Sequence, residues 1–323
     1  MRYLSYIIPA FILSLCFAIP AHALTVSPAK VEITGDPGTT LQGEVEIFNE
    51  QEGSRTFYST AENFEPNGDS GAPYFVGAKD GLATWISTEE SVTLESGEHR
   101  KIPFSIQIPE NTEPGGYFAA MFWGSRPSSS QEGGEVSIGG KIGVLVLLRV
   151  SGDVPESGGL IDFQTVGNQR FFSKLPVTMT YRFNNTGGDR IVPLGDIKIK
   201  NTFRLNAETL PANKNEGSIL PNSTRKFEIV WAPDEMGELA DTEPGFLSTA
   251  KEQLRDFHFG WYTAKMNVTF GITNQVASDA YHFFIIPWHL LSILLALFVL
   301  LALVGRVVLR KYNAHIISQA KMK

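Results

Sequence analysis

Five histidines lie beyond residue 23: His99, His258, His282, His289 and His315. Metal binding or general acid–base work needs such side chains paired at a spacing that turns them toward one point, as in HExxH on a helix. No such pair occurs. Serine hydrolases advertise themselves through a Gly-x-Ser-x-Gly elbow, which is also missing. The single cysteine, Cys16, falls in the extreme N-terminal segment, so thiol catalysis, Cys-ligated zinc and disulfide pairing are excluded from the rest of the chain. Asn67, Asp69 and Asp80 form the nearest thing to a metal cluster, but calcium takes roughly six to eight oxygen ligands, and this loop reads better as a solvated turn. "LPNST" at 220–224 lacks the glycine of a sorting signal and lies mid-chain, so it too reads as a turn. These gaps predict a protein that is not an enzyme, with no metal and no cofactor, which leaves binding as its chemistry.

Binding side chains must be held by a scaffold, and the periodicity names it. In "KIPFSIQI", Ile102, Phe104, Ile106 and Ile108 alternate with polar or proline positions; "GEVEIFN" alternates around Val45 and Ile47. "VTMTYRFNN" and "YTAKMNVTF" repeat the pattern around Met179 and Met266. Period two between Gly, Pro and Asn turns predicts antiparallel sheets with one wet face. The two halves also echo one another: Phe48-Asn49 against Phe183-Asn184, Arg100-Lys101 against Arg225-Lys226, and Tyr117 against Tyr262. The fold class expected is therefore all-β, with two tandem Ig-like β-sandwich domains over 24–152 and 157–275. "EPGFLSTAKEQLRDFHF" adds one short helix, with Thr249-x-x-Glu252 as a capping box.

The ends of the chain place these domains. "MRYLSYIIPAFILSLCFAIPAHA" has a basic head, an apolar run and an Ala-x-Ala end, so 1–23 reads as a secretory signal; Leu15 before Cys16 disfavours a lipoprotein. From Phe283 to Gly305 there is no formal charge, and roughly 20 such residues span a bilayer as a helix. Tyr281, Trp288 and His289 sit where an interfacial belt belongs, and Arg306, Arg310 and Lys311 open a basic tail, 306–323. Positive charge marks the inner side, which predicts a single-pass type I protein of the cell membrane with its ectodomain outside. Six of the 27 Lys and Arg residues lie outside 24–279, whereas all 34 Asp and Glu lie within it. A surface that acidic disfavours nucleic acid, which binds through clustered basic residues.

"YFAAMFWG" and "KIGVLVLLRV" are apolar on both faces, although a sandwich strand needs only one. The surplus falls on Phe118, Phe122, Leu145 and Leu147. Either the two long insertions of the first domain, 66–87 and 125–140, fold back over that face, or the face receives a partner. Under the second alternative Tyr74, Phe75 and Arg126 rim it and Phe118 and Phe122 line it, aromatics and arginine being what interface centres favour. Trp85, in the same insertion, reads as core.

The order of "VSPAKVEITGDPGTTLQGEVEIFN", "ATWIS", "VTLESGEHRKIPFSIQIP", "PGGYFAAMFWG" and "FGWYTAKMNVTFG", with a leader, membrane helix and basic tail, resembles the bacterial WxL-interacting proteins. The resemblance covers the whole architecture and is stronger in the first domain. It implies a first domain that binds peptidoglycan or another cell-wall polymer and a second that binds a partner or host, alongside surface proteins of the WxL type. It carries no catalytic residues. The function expected is thus a membrane-anchored surface adaptor; the alternative is an Ig-like assembly factor or chaperone for secreted subunits, a class that also uses two such domains and pairs strands with clients.

Overall fold

Alternating residues can bury one side only if a second sheet closes over it, and both domains do this. The computed structural model describes residues 24–125, 140–203, 205–233 and 245–320. Residues 1–23 with Cys16, and Arg126 with most of the 125–140 loop, lie outside the described residues. The chain divides into two compact units, Met1–Asn67 with Ala72–Pro155, and Gly68–Gly71 with Glu156–Lys323.

The first domain runs β1 (Leu24–Ser27), β2 (Lys30–Gly35), β3 (Thr40–Asn49), β4 (Arg55–Pro66), β5 (Pro73–Gly77), α1 (Leu82–Trp85), β6 (Ile86–Thr88), β7 (Ser91–Leu94), β8 (His99–Gln107), β9 (Gly115–Gly124) and β10 (Lys141–Val150). One sheet has the order β1-β3-β8-β6; the other has β2-β10-β9-β4-β5, with β7 also beside β4. Val45, Ile47, Ile102, Ile106, Met121, Trp123, Val144 and Val146 are buried between them. Each such side chain contributes roughly 1.5–3 kcal/mol on leaving water.

The second domain runs β11 (Gly158–Thr165), β12 (Phe171–Phe172), β13 (Val177–Asn185), β14 (Leu194–Lys200), β15 (Asn206–Pro211), β16 (Ser223–Trp231), α2 (Phe246–Arg255), β17 (Gly260–Phe270) and β18 (Gln275–Ile285), followed by α3 (Trp288–Ala320). Its sheets are β11-β13-β16 and β12-β18-β17-β14-β15. Met179, Tyr181, Phe183, Ile197, Met266 and Phe283 fill the space between them.

The wiring is the same twice. β1 pairs with β3 and β3 with β8, all antiparallel; β11, β13 and β16 do likewise. In each domain the chain then crosses to the other sheet, where β2 runs parallel to β10 and β12 parallel to β18. Glycine opens the corresponding strands β9 and β17 at positive φ, 150° for Gly115 and 112° for Gly260, backbone that an L side chain resists. Two residues on, the Tyr117 hydroxyl donates to the Glu113 carbonyl at 3.0 Å; Tyr262 holds the equivalent place, its ring stacked 5.8 Å from Phe283. Core-facing Ala119 and Met121 then match Ala264 and Met266.

The structure corrects the pairing of Asn49 with Asn184. Register places Ile47 opposite Arg100 and Phe183 opposite Arg225, so Ile47 is equivalent to Phe183 and Asn49 to Asn185. Both asparagines are fully buried. The Asn49 amide donates to the carbonyls of Gly53, Leu94 and Glu95, each at 3.1 Å, and its Oδ1 accepts the Gln51 N–H. Asn185 donates to Asp189 and Ile219 at 2.8 Å and accepts the Gly187 N–H. A side chain that ends the strand and bonds the following turn occupies the same corner in both domains.

Three further expectations change. The second domain does not end at 275, nor does the helix start at 283: Tyr281, Phe283 and Ile285 are buried along β18, and the helix begins at Trp288, after Pro287. Tyr281 is therefore core rather than belt, its hydroxyl donating to Asn168 Oδ1 at 2.7 Å. The helix at 246–255 forms, but Gly245 caps it without a side-chain bond and Thr249 is buried inside it, so the capping box does not operate. α3 continues to Ala320 instead of ceding to a tail at 306, and its Trp288–Asn313 stretch is long and apolar enough to cross a membrane.

Candidate functional site

The surplus apolar residues of β9 and β10 fall on the outer face of the larger first-domain sheet, because Ala119, Met121 and Trp123 take the inner one. The first insertion extends the sheet at its edge and reaches that face through the Phe75 ring. It is not a plain loop: it contains β5, which pairs Phe75 opposite Phe64. The Phe75 ring lies 6.1 Å from Phe64 and 4.9 Å from Phe122 edge-on, and Phe64 lies 6.0 Å from Phe118. Phe64, Ala120, Phe122 and Leu147 are buried there; Phe75, Phe118 and Leu145 are half-buried. Edge-to-face contacts of this kind add about 0.5–1.5 kcal/mol beyond area burial.

A charged bar crosses the cluster. Lys141 on β10 forms an ion pair with Glu62 on β4, and its ammonium sits 4.3 Å above the Phe122 ring. Beyond it, Lys30 and Glu32 on β2 pair at 2.6 Å.

Tyr74 stands apart from the cluster. It is 59% exposed and Val76 41% exposed, alternating with Phe75 along β5. Among the described residues β5 pairs only with β4, so it is an edge strand. Of the five candidate residues, then, the structure brings Phe75, Phe118 and Phe122 together, leaves Tyr74 outward on the edge, and does not describe Arg126. Sequence reasoning missed Phe64, Glu62, Lys141 and Val76. The signal for Phe64 and Val76 was available, since "ENFEP" and "PYFVG" flank a Gly-rich turn as a hairpin would.

The four histidines whose side chains are described have partners elsewhere. His99 stacks on Phe48 at 4.0 Å and lies 3.6 Å from Glu46. His258 packs edge-on against Trp231 at 5.0 Å, His282 bonds Thr263 at 3.0 Å, and His289 bonds Gln253 at 3.1 Å. Asp80 turns its carbonyl to Asn63, which also receives the Ala83 N–H at the start of α1. Among the described residues no three His, Cys, Asp or Glu side chains converge. Trp85 is half-buried against Tyr117, ring centroids 4.8 Å apart.

No family model matches the sequence, and no curated protein matches it. Solved structures do. A class 5 fimbriae chaperone, CfaA, shares 11% identity at a TM-score of 0.38, covering 82% of this chain and 100% of its own. The CsuC–CsuE chaperone–tip adhesion subunit pre-assembly complex of Acinetobacter baumannii Csu pili matches at 11% identity and a TM-score of 0.37, over 81% of this chain and 98% of that one. The E. coli chaperone DraB matches at 10% identity and 0.34, over 81% and 98%. These are pilus chaperones, not WxL-interacting proteins; the two sandwiches described above stand on their own sheet pairing.

Proposed function

We propose that the chain is a membrane-anchored, non-catalytic binding protein of a bacterial cell surface, whose first domain takes up an extended segment of a surface protein along β5. The observation that carries this reading is the edge strand itself, with Tyr74 and Val76 exposed on one side and Phe75 anchored in the phenylalanine cluster on the other. A strand edge offers N–H and C=O groups to an incoming strand, and alternate side chains set its register. The resemblance to WxL-interacting proteins adds peptidoglycan or another wall polymer, and WxL-type surface proteins, as partners. Helix α3, with Arg306, Arg310 and Lys311 beyond its apolar run, supports a single span with the tail inside. The same edge also suits an assembly factor, with an unfolded secreted subunit as the occupant.

Purified full-length chain in detergent, immobilised and offered wall polymer, folded surface proteins and unfolded secreted subunits, separates these readings. Retention of wall or folded surface proteins is expected, weakened at least about fivefold (roughly 1 kcal/mol) by Tyr74→Ala with Phe75→Ala. Retention of unfolded subunits alone replaces the adaptor with the assembly factor. Unchanged binding per folded molecule together with a lower melting temperature makes the cluster core and moves the site elsewhere.

A further inference from the structure

Exposed aromatic residues are unevenly placed in the second domain. Phe171, Phe203, Phe246, Phe257, Phe259 and Trp261 are all 45–80% exposed, and all lie at the end where β18 leads into α3. Register sets Phe171 and Trp261 on either side of Phe284, next to the last residue of β18. Thr202, in the β14–β15 turn, accepts the Trp261 N–H at 3.0 Å, which brings neighbouring Phe203 to the same end. Phe257 and Phe259 stack in the segment that enters β17, and Phe246 packs on Trp288 and His289. The opposite end, at the β17–β18 turn, shows no exposed aromatic among the described residues.

α2 fixes the height of this rim relative to α3. Gln253, 1% exposed, accepts the Leu290 N–H at 3.0 Å and bonds His289 and the Ser173 carbonyl. The first turn of α3 therefore belongs to the domain, and from Leu294 onward the helix is mostly exposed and apolar. At about 1.5 Å per residue, α2 lies within roughly one or two helical turns of the stretch that would enter hydrocarbon. On the side of α2 away from buried Ala250 and Gln253, Leu247 is 74% and Leu254 65% exposed, with Lys251 between them. Water alone does not favour such a face. The headgroup layer does, because aromatic rings and amphipathic faces gain from lying half in lipid.

We infer that this end of the second domain is seated in the headgroup layer of the bilayer that α3 crosses, with the aromatic rim and the Leu247–Leu254 face of α2 in contact with lipid. The inference rests on α3 being a membrane span. The domain then stands on the membrane in a set orientation rather than swinging from a tether.

The test uses full-length chain in phosphatidylcholine–phosphatidylglycerol vesicles, in a Cys16→Ser background with single substitutions Leu254→Cys, Phe203→Cys, Ile272→Cys and Leu297→Cys, each carrying an environment-sensitive fluorophore. Leu254 and Phe203 positions should show blue-shifted emission and quenching by lipids spin-labelled near the headgroup. Leu297 should be quenched by lipids labelled deep in the chain, and Ile272, at the far end, by neither. If Leu297 is quenched while Leu254 and Phe203 behave like Ile272, the span stands and the seating is wrong. If Leu297 is unquenched too, the span fails and the seating fails with it.

Discussion

Strands β9 and β17 hold equivalent places in the two domains and keep the same inner face: Tyr117, Ala119 and Met121 in one, Tyr262, Ala264 and Met266 in the other. Their outer faces are opposite in character. Phe118, Ala120 and Phe122 stand where Thr263, Lys265 and Asn267 stand in the second domain, and across the ladder Leu147 faces Phe118 where His282 faces Thr263. The inner face is set by what a sandwich needs to fold. The outer face is free to differ, and its difference separates a domain with a phenylalanine-coated sheet from one whose surplus aromatics collect at one end.

The contrast predicts unequal costs at equivalent sites. Phe122→Ala should cost about 3–5 kcal/mol, as for a core phenylalanine, because the ring is 7% exposed against Phe75. Asn267→Ala at the matching exposed position should stay within about 0.5 kcal/mol; amide exchange read domain by domain checks both, and equal costs would undo the contrast. Asn49→Ala and Asn185→Ala probe what the domains share. Asn49→Ala strands the buried Leu94 carbonyl and frees two carbonyls of exposed residues, whereas Asn185→Ala strands two buried ones; each should destabilise its own domain by about 1–3 kcal/mol, and no effect at either corner would mean the corners are not equivalent.

The smallest effect is alkaline. Burial pushes the Tyr181 hydroxyl well above its ordinary value of 10.0, and burial also raises Tyr262, whereas the first domain has Tyr117 raised by lesser burial and the Glu113 charge. A raised pKa means the folded state keeps its proton when the unfolded chain has begun to lose it. The contribution is whole below about pH 10 and declines as pH climbs beyond it. Melting followed upward from that point should weaken the second domain more than the first, and Tyr181→Phe should flatten part of that slope.

Strands were legible where one face alone is buried, as in "KIPFSIQI" and "YTAKMNVTF", because period two is then uninterrupted. Legibility failed where two structures want the same residues. "AYHFFIIPW" is apolar enough for a bilayer and alternates well enough for a strand, and its hydrogen bonding to β17 and β12 decides for the strand. The offset between Asn49 and Asn185 was hidden because each corner contains Phe-Asn in a different phase. In the candidate site, the phenylalanines of β9 announced themselves as surplus, yet the hairpin that brings Phe75 against them depends on a register that composition does not reveal.

The crossing of each domain's first strands to the second sheet has a mechanical consequence. β2 and β10 run parallel, and so do β12 and β18; one strand of each pair lies near the start of its domain and the other at or near its end. A pull along the chain drags the two strands of a pair in opposite directions along their length. The load falls on their hydrogen bonds in shear, shared across the ladder, rather than peeling them one at a time. Six register pairs, Lys30–Gly35 against Leu145–Val150, share it in the first domain, and two in the second, so under the same pull the second domain gives way before the first.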